Sequence, residues 1–163
     1  MAKMMKLSML AAAALLAGCA SLSGPPALPG DSTETVRSKM GQPTEVRTAP
    51  SGTVYEYGGG MFGQLAWLAR FDSTGRLASV EQVRKGEVFA AIRPGATKAD
   101  VVDRLGRPSE MSRVRLGNFE VWSCRYKESG VWNSMMHVHF DEAGIVRLMQ
   151  SGPDPMYEDK RPN

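Results

Sequence analysis

The sequence predicts an α+β fold made of two tandem helix-helix-antiparallel-meander units, with the helices packed on one face of the sheet. Three observations predict it. A series of matched residues recurs along the chain, at a spacing of 65 residues and then of 69. Each copy opens with apolar residues four apart, which share one helix face, and ends that helix with Gly-x-Pro. Alternating apolar and polar runs bounded by Gly, Ser and Asp follow in both copies and read as strands joined by tight turns.

The first element is a secretion signal over residues 1–18. Lys3 and Lys6 give it a positive lead, and Leu7 to Ala17 an apolar stretch that ends in small residues. The stretch is far shorter than the ~20 residues that cross a bilayer. Leu16-Ala17-Gly18-Cys19 resembles the bacterial lipobox, which implies cleavage before Cys19, a diacylglyceryl thioether on its sulfur and an acyl chain on the new amine. Two or more chains anchor stably, because each buried methylene contributes about 0.8 kcal/mol. The residue after it is Ala20, not the Asp that commonly retains such proteins at the inner membrane, so the expected location is the periplasmic leaflet of the outer membrane. Residues 19–29 are small, Pro-rich and nearly uncharged, a composition that stays extended, and form the lipidated tether.

The first unit spans residues 30–84. Val36 and Met40 mark its helix, Asp31 and Ser32 compete to cap it, and Gly41 and Pro43 stop it. Strands are expected near Glu45 to Thr48, Thr53 to Tyr57, Leu65 to Phe71 and Leu77 to Val83. The second unit spans residues 85–150. It begins with an extra short helix at Glu87 to Ile92, then a helix carrying Val101 and Leu105, with Thr97 and Asp100 as a capping box and Gly106 and Pro108 as its stop. Its strands are expected near Glu110 to Leu116, Phe119 to Tyr126, Met135 to Phe140 and Ile145 to Met149. Met40 to Glu45 matches Leu105 to Glu110, and Val54 to Tyr57 is set against Phe119 to Trp122, all at 65; Arg70 to Gly75 matches His139 to Gly144 at 69. A four-residue insertion in the second copy accounts for the difference. Residues 151–163 carry three prolines without periodicity and read as a loose tail.

Ile92-Arg93-Pro94-Gly95-Ala96-Thr97-Lys98-Ala99-Asp100-Val101, Leu105-Gly106-Arg107-Pro108-Ser109, Trp122 with Tyr126, and Phe140-Asp141-x-x-Gly144 resemble the SmpA/OmlA (BamE) family. That resemblance implies a small outer-membrane lipoprotein, similar to the accessory subunit of β-barrel assembly that gives the family its name. The namesake has one copy of the unit and this chain has two. The duplicated arrangement is similar to that of β-lactamase inhibitor protein, which implies tandem units forming one concave sheet with helices behind, and an inhibitor that binds a periplasmic or secreted enzyme as the alternative function.

Losing the signal removes two lysines and no acid, so 18 basic side chains face 17 acidic ones. Arginines scattered among acids form no nucleic-acid footprint. Once Cys19 is a thioether only Cys124 remains as a thiol, so no intramolecular disulfide forms. An enzyme reading rests on His137 and His139, which point the same way on a strand and are the makings of a metal site, but no third ligand stands at a convincing spacing. Asp141 is better read as the first residue of a hairpin turn, and Gly58-Gly59-Gly60 as a hairpin connection. Trp122, Cys124 and Tyr126 share a strand face, which buries the thiol. No catalytic set emerges and no cofactor is implied. The expected function is binding of an outer-membrane or periplasmic protein, with Tyr55, Tyr57, Trp67 and Trp132 as candidate contacts and Met61 to Leu68 as the most apolar stretch of the mature chain.

Overall fold

The computed structural model describes residues 26–49, 52–115 and 117–160. The signal peptide, Cys19 and most of the tether lie outside the described residues. Helix α1 (Thr33–Met40) starts where Ser32, not Asp31, accepts the Thr35 N–H, and it ends at Gly41, whose φ is +85°. Asp31 instead accepts from the Leu28 N–H and pairs with Lys39 at 2.7 Å. Four antiparallel strands follow: β1 (Glu45–Ala49), β2 (Gly52–Gly58), β3 (Ala66–Phe71) and β4 (Leu77–Gln82), neighbours in chain order. Helices α2 (Gly86–Ala90) and α3 (Lys98–Leu105) come next, the second with the expected capping box of Thr97 and Asp100. Strands β5 (Glu110–Val114), β6 (Phe119–Glu128), β7 (Trp132–Phe140) and β8 (Val146–Pro153) form a second four-stranded antiparallel sheet.

Several expectations need correction. The two sheets are separate, not one continuous sheet. Among the described residues the first half has one helix, since Leu28 to Asp31 is a turn tied to β4 through Gly30 and Leu77. Nor do helices occupy one face only. Tyr55, Tyr57, Ala69 and Phe71 pack with Val36 of α1, while Val54 and Leu68, which alternate with them, pack with Val88 of α2. Val88 also touches the largest core cluster, in which Phe89, Ile92, Val101 and Leu105 meet Trp122, Cys124, Tyr126, Val138 and Phe140. The layer of α2 and α3 therefore buries apolar surface on both sheets, at about 1.5–3 kcal/mol for each fully covered large side chain. The tail is not loose at its start: β8 runs to Pro153, Asp154 is fully buried, and a short 3-10 helix follows at Pro155–Lys160.

The halves share local geometry. Gly30 N–H donates to Leu77 and Gly95 N–H to Val146. Isolated bridges join Ser32 to Arg76 and Thr97 to Ile145, and the third strand of each sheet is irregular just before Phe71 or Phe140. Asp72 and Asp141 each hold the following turn by accepting two backbone N–H groups. The registers differ from the spacing expected for the second strand. Glu45 faces Glu56 where Glu110 faces Ser123, so the second strand is displaced by 67 residues, not 65. Glu56 faces Leu68 where Ser123 faces His137, which restores 69. By register, each of the first two hairpins of the second sheet is two residues longer than its counterpart, which sets Trp122 at the place of Tyr55.

A charged junction joins the halves. Asp103 near the end of α3 accepts from Arg47 at 3.1 Å and Arg70 at 3.0 Å. Both oxygens of buried Glu56 accept the Arg107 N–H at 3.1 Å. Burial pushes the Glu56 carboxyl up, more than that bond and the nearby arginines bring it down. For Asp103 burial also raises, but the hydrogen bonds and charges of Arg70 and Arg47 outweigh it and hold the carboxyl low. Arg84, 1% exposed, donates to the carbonyls of Arg107 and Arg125 and to Ser109 Oγ.

Candidate functional site

The residues best placed to meet another molecule lie at the tips of two hairpins. The β2–β3 connection is a shaped turn, because a β-carbon on Gly63 would sit 1.9 Å from the Gly59 carbonyl oxygen. Buried Arg125 of β6 donates to the Met61 carbonyl, and Gln64 Nε2 donates to Asn133 Oδ1 at 2.6 Å. These bonds set the first-half hairpin beside the β6–β7 tip. Met61, Phe62 and Leu65 are exposed on the first-half hairpin, and Val131 and Trp132, the last 53% exposed, on the β6–β7 tip. Clustered apolar exposure of this kind marks contact surfaces, whereas single exposed apolar residues are ordinary.

Two hollows flank Leu65 and Trp67. One, of about 470 Å³, lies within the first hairpin and is lined by Tyr57, Phe62 and Gln64 among others. The second, about 430 Å³, lies between the tips, with Lys85, Lys127 and Gly130 on its other side.

The four aromatic candidates separate. Trp132 is exposed, and half-buried Trp67 lines both hollows. Tyr55 and Tyr57 do not offer the free surface expected of them: at 4% and 7% exposed they belong to the core beneath α1. Their strand is covered on both faces, so alternation does not separate a wet side from a dry one. Burial, then the neighbouring Tyr55, pushes the Tyr57 hydroxyl up to about 12, and its oxygen has no hydrogen-bond partner among the described residues.

His137 and His139 lie on the face of the second sheet turned away from the helices. His137 Nδ1 and Ser123 Oγ are 2.8 Å apart, and His139 meets the Phe119 ring edge to face. Burial lowers both imidazoles, helped for His139 by the charge of His137 and opposed for His137 by Glu110. Among the described residues no three of His, Cys, Asp or Glu are grouped to hold a metal ion. Asp141 is taken up by its turn and by Arg147. Cys124 is buried, which pushes its thiol up and keeps it protonated.

Sequence reasoning missed Arg125, which holds the first hairpin tip, and Arg84 and Glu56, which join the halves behind it. The available signal was a charged residue on an otherwise apolar strand, but their partners lie up to 64 residues away. No helix among the described residues is long and apolar enough to cross a membrane.

No family model and no curated relative matches the chain. Among solved structures it is similar to one from Streptococcus mutans described as a "putative beta-lactamase inhibitor protein", at 18% identity over 76% of this chain and 83% of that one, with a TM-score of 0.30.

Proposed function

We propose that this protein is a lipid-anchored binding module of the outer membrane, made of two copies of one ancestral unit and facing the periplasm, that holds a protein partner at its hairpin tips. The observation that carries the reading is the placement of the apolar cluster relative to the chain's entry. Ala27 packs with Phe71 and Leu77, at one end of β3. Leu65 and the exposed Met61 and Phe62 lie at the other end, about 20 Å away for a six-residue strand. A tether rising from Cys19 would therefore leave the hairpin tips pointing away from the lipid.

The kinship inferred with the SmpA/OmlA (BamE) family rests on the motif residues between Ile92 and Gly144, and the shared turn and cap geometry of the halves supports duplication. The test is affinity capture of the full chain from its native membrane. Cys19→Ser should no longer label with fatty acid. Phe62→Ala with Trp132→Ala should cost about 2 kcal/mol of partner affinity, roughly thirtyfold, with an unchanged melting temperature because both side chains are exposed. His137→Ala with His139→Ala should leave capture intact. A captured barrel-assembly subunit identifies an assembly role, and a captured enzyme whose activity falls identifies an inhibitor. Undiminished capture by the Phe62/Trp132 variant would refute the hairpin surface.

A further inference from the structure

We infer that the groove between the hairpin tips takes an acidic segment of the protein partner, one carboxylate side chain flanked by apolar ones; this rests on the binding reading above. The groove has one apolar wall, Leu65 and Trp67 from the first half, and an opposite wall from the β6–β7 tip carrying Lys127. Lys85 stands at its end where the first sheet passes into α2, and Arg84 lies behind. Arg84 is buried and its charge is felt by Glu56, so the lysines are the cations a partner would reach, and against them the lining holds a single acid, Glu87.

None of the three cations is ion-paired within 4 Å among the described residues. Arg84 spends its guanidinium on two carbonyls and a hydroxyl, with Nε unpartnered, and the Lys127 ammonium has only a 3.5 Å contact to the Val131 carbonyl. Two other lysines of the molecule, by contrast, are paired at short distance, Lys39 with Asp31 and Lys98 with Glu120, both at 2.7 Å. An excess of cations beside a tryptophan and a leucine is complementary to a peptide in which an acid sits next to large apolar residues. A carboxylate entering from a partner would meet Lys85 and Lys127 while its neighbours cover Leu65 and Trp67. The approach of a basic segment is disfavoured by the same charges.

Selection of a displayed random-peptide library on the mature protein tests this. Enriched peptides should place Asp or Glu beside Leu, Phe or Trp. They should lose at least tenfold in affinity against Lys85→Glu with Lys127→Glu, and regain it when their own acid is exchanged for lysine. Both lysines are surface side chains, and an unchanged melting curve would verify folding of the double variant. Enrichment of uncharged or basic peptides, an absence of enrichment, or indifference to the reversal would overturn the inference. So would a reversal that abolishes adsorption to phosphatidylglycerol vesicles while leaving the peptides bound, since the lysines would then read lipid. If native partner capture survives the lysine reversal but not the Phe62/Trp132 change, the binding reading stands and this inference falls.

Discussion

Asp103 serves two arginines that belong to different strands of the first sheet, and it reaches them from a helix of the second half. Asp103→Asn keeps an oxygen for one guanidinium and removes the charge from both. About 1–2 kcal/mol of stability should be lost at neutral pH, a modest figure because the carboxyl is half in water. Its folded pKa is depressed, so this contribution is present above the unfolded value of ~3.9 and disappears as pH falls through the folded one. The gap between wild-type and Asp103→Asn melting temperatures should accordingly close in acid. A gap that persists at pH 2 would mean that shape, not charge, is what the substitution disturbs. Glu56 works in the opposite direction, since its raised carboxyl destabilises the ionised form and its contribution improves as pH falls. None of these pairings was readable beforehand. Alternation marks which side of a strand a residue occupies, but it does not say that Glu56 will meet the Arg107 amide, 51 positions away.

Helix ends were legible for a reason the two Gly-x-Pro stops make plain. Gly41 and Gly106 both close a helix with positive φ and both donate to a carbonyl of the last turn. Their surroundings differ. A β-carbon on Gly41 meets nothing within 4 Å, whereas one on Gly106 would lie 2.6 Å from Glu56 Oε1. Gly41→Ala should therefore cost only the backbone term, about 1–2 kcal/mol, and Gly106→Ala about 3 kcal/mol or more because Glu56 must also shift. Chemical denaturation of the two variants decides this, and equal losses would show that the junction yields freely. Strand positions were legible to within a few residues in both halves, because turn residues bound them. The exact correspondence of β2 with β6 was not, since Tyr-Glu-Tyr against Glu-Val-Trp looks as acceptable at one spacing as Tyr55 against Trp122 does at another.

At the scale of the whole molecule, composition and pattern led to α+β and to paired meanders, but not to their assembly. The separation of the sheets and the insertion of α2 and α3 between them depend on which residues lie on both sides of one helical layer. A period in sequence carries one buried face, and Val88 has two. The C-terminal segment makes the same point. Three prolines argue against regular structure and say nothing of Asp154, buried and 3.0 Å from Arg125 Nε. Arg125 also holds Glu110 at 2.6 Å and the Met61 carbonyl, so ending the chain at Pro153 removes one acid from a site that ties the halves together. That truncation should cost about 3 kcal/mol, lower the melting temperature of the whole chain in a single transition, and loosen the 59–65 hairpin to proteolysis. Cleavage elsewhere, with the hairpin still protected, would show that Gln64 and Asn133 suffice.

The shared helical layer has a further consequence for the order in which the chain completes its fold. A polypeptide made from its N-terminus presents β1 to β4 before α2 and α3 have emerged. Until Val88 and Arg107 arrive, Val54 and Leu68 lack their cover and Glu56 has no amide to meet. The first half is thus the half that must wait, an incomplete sheet whose completion is timed by the arrival of the second.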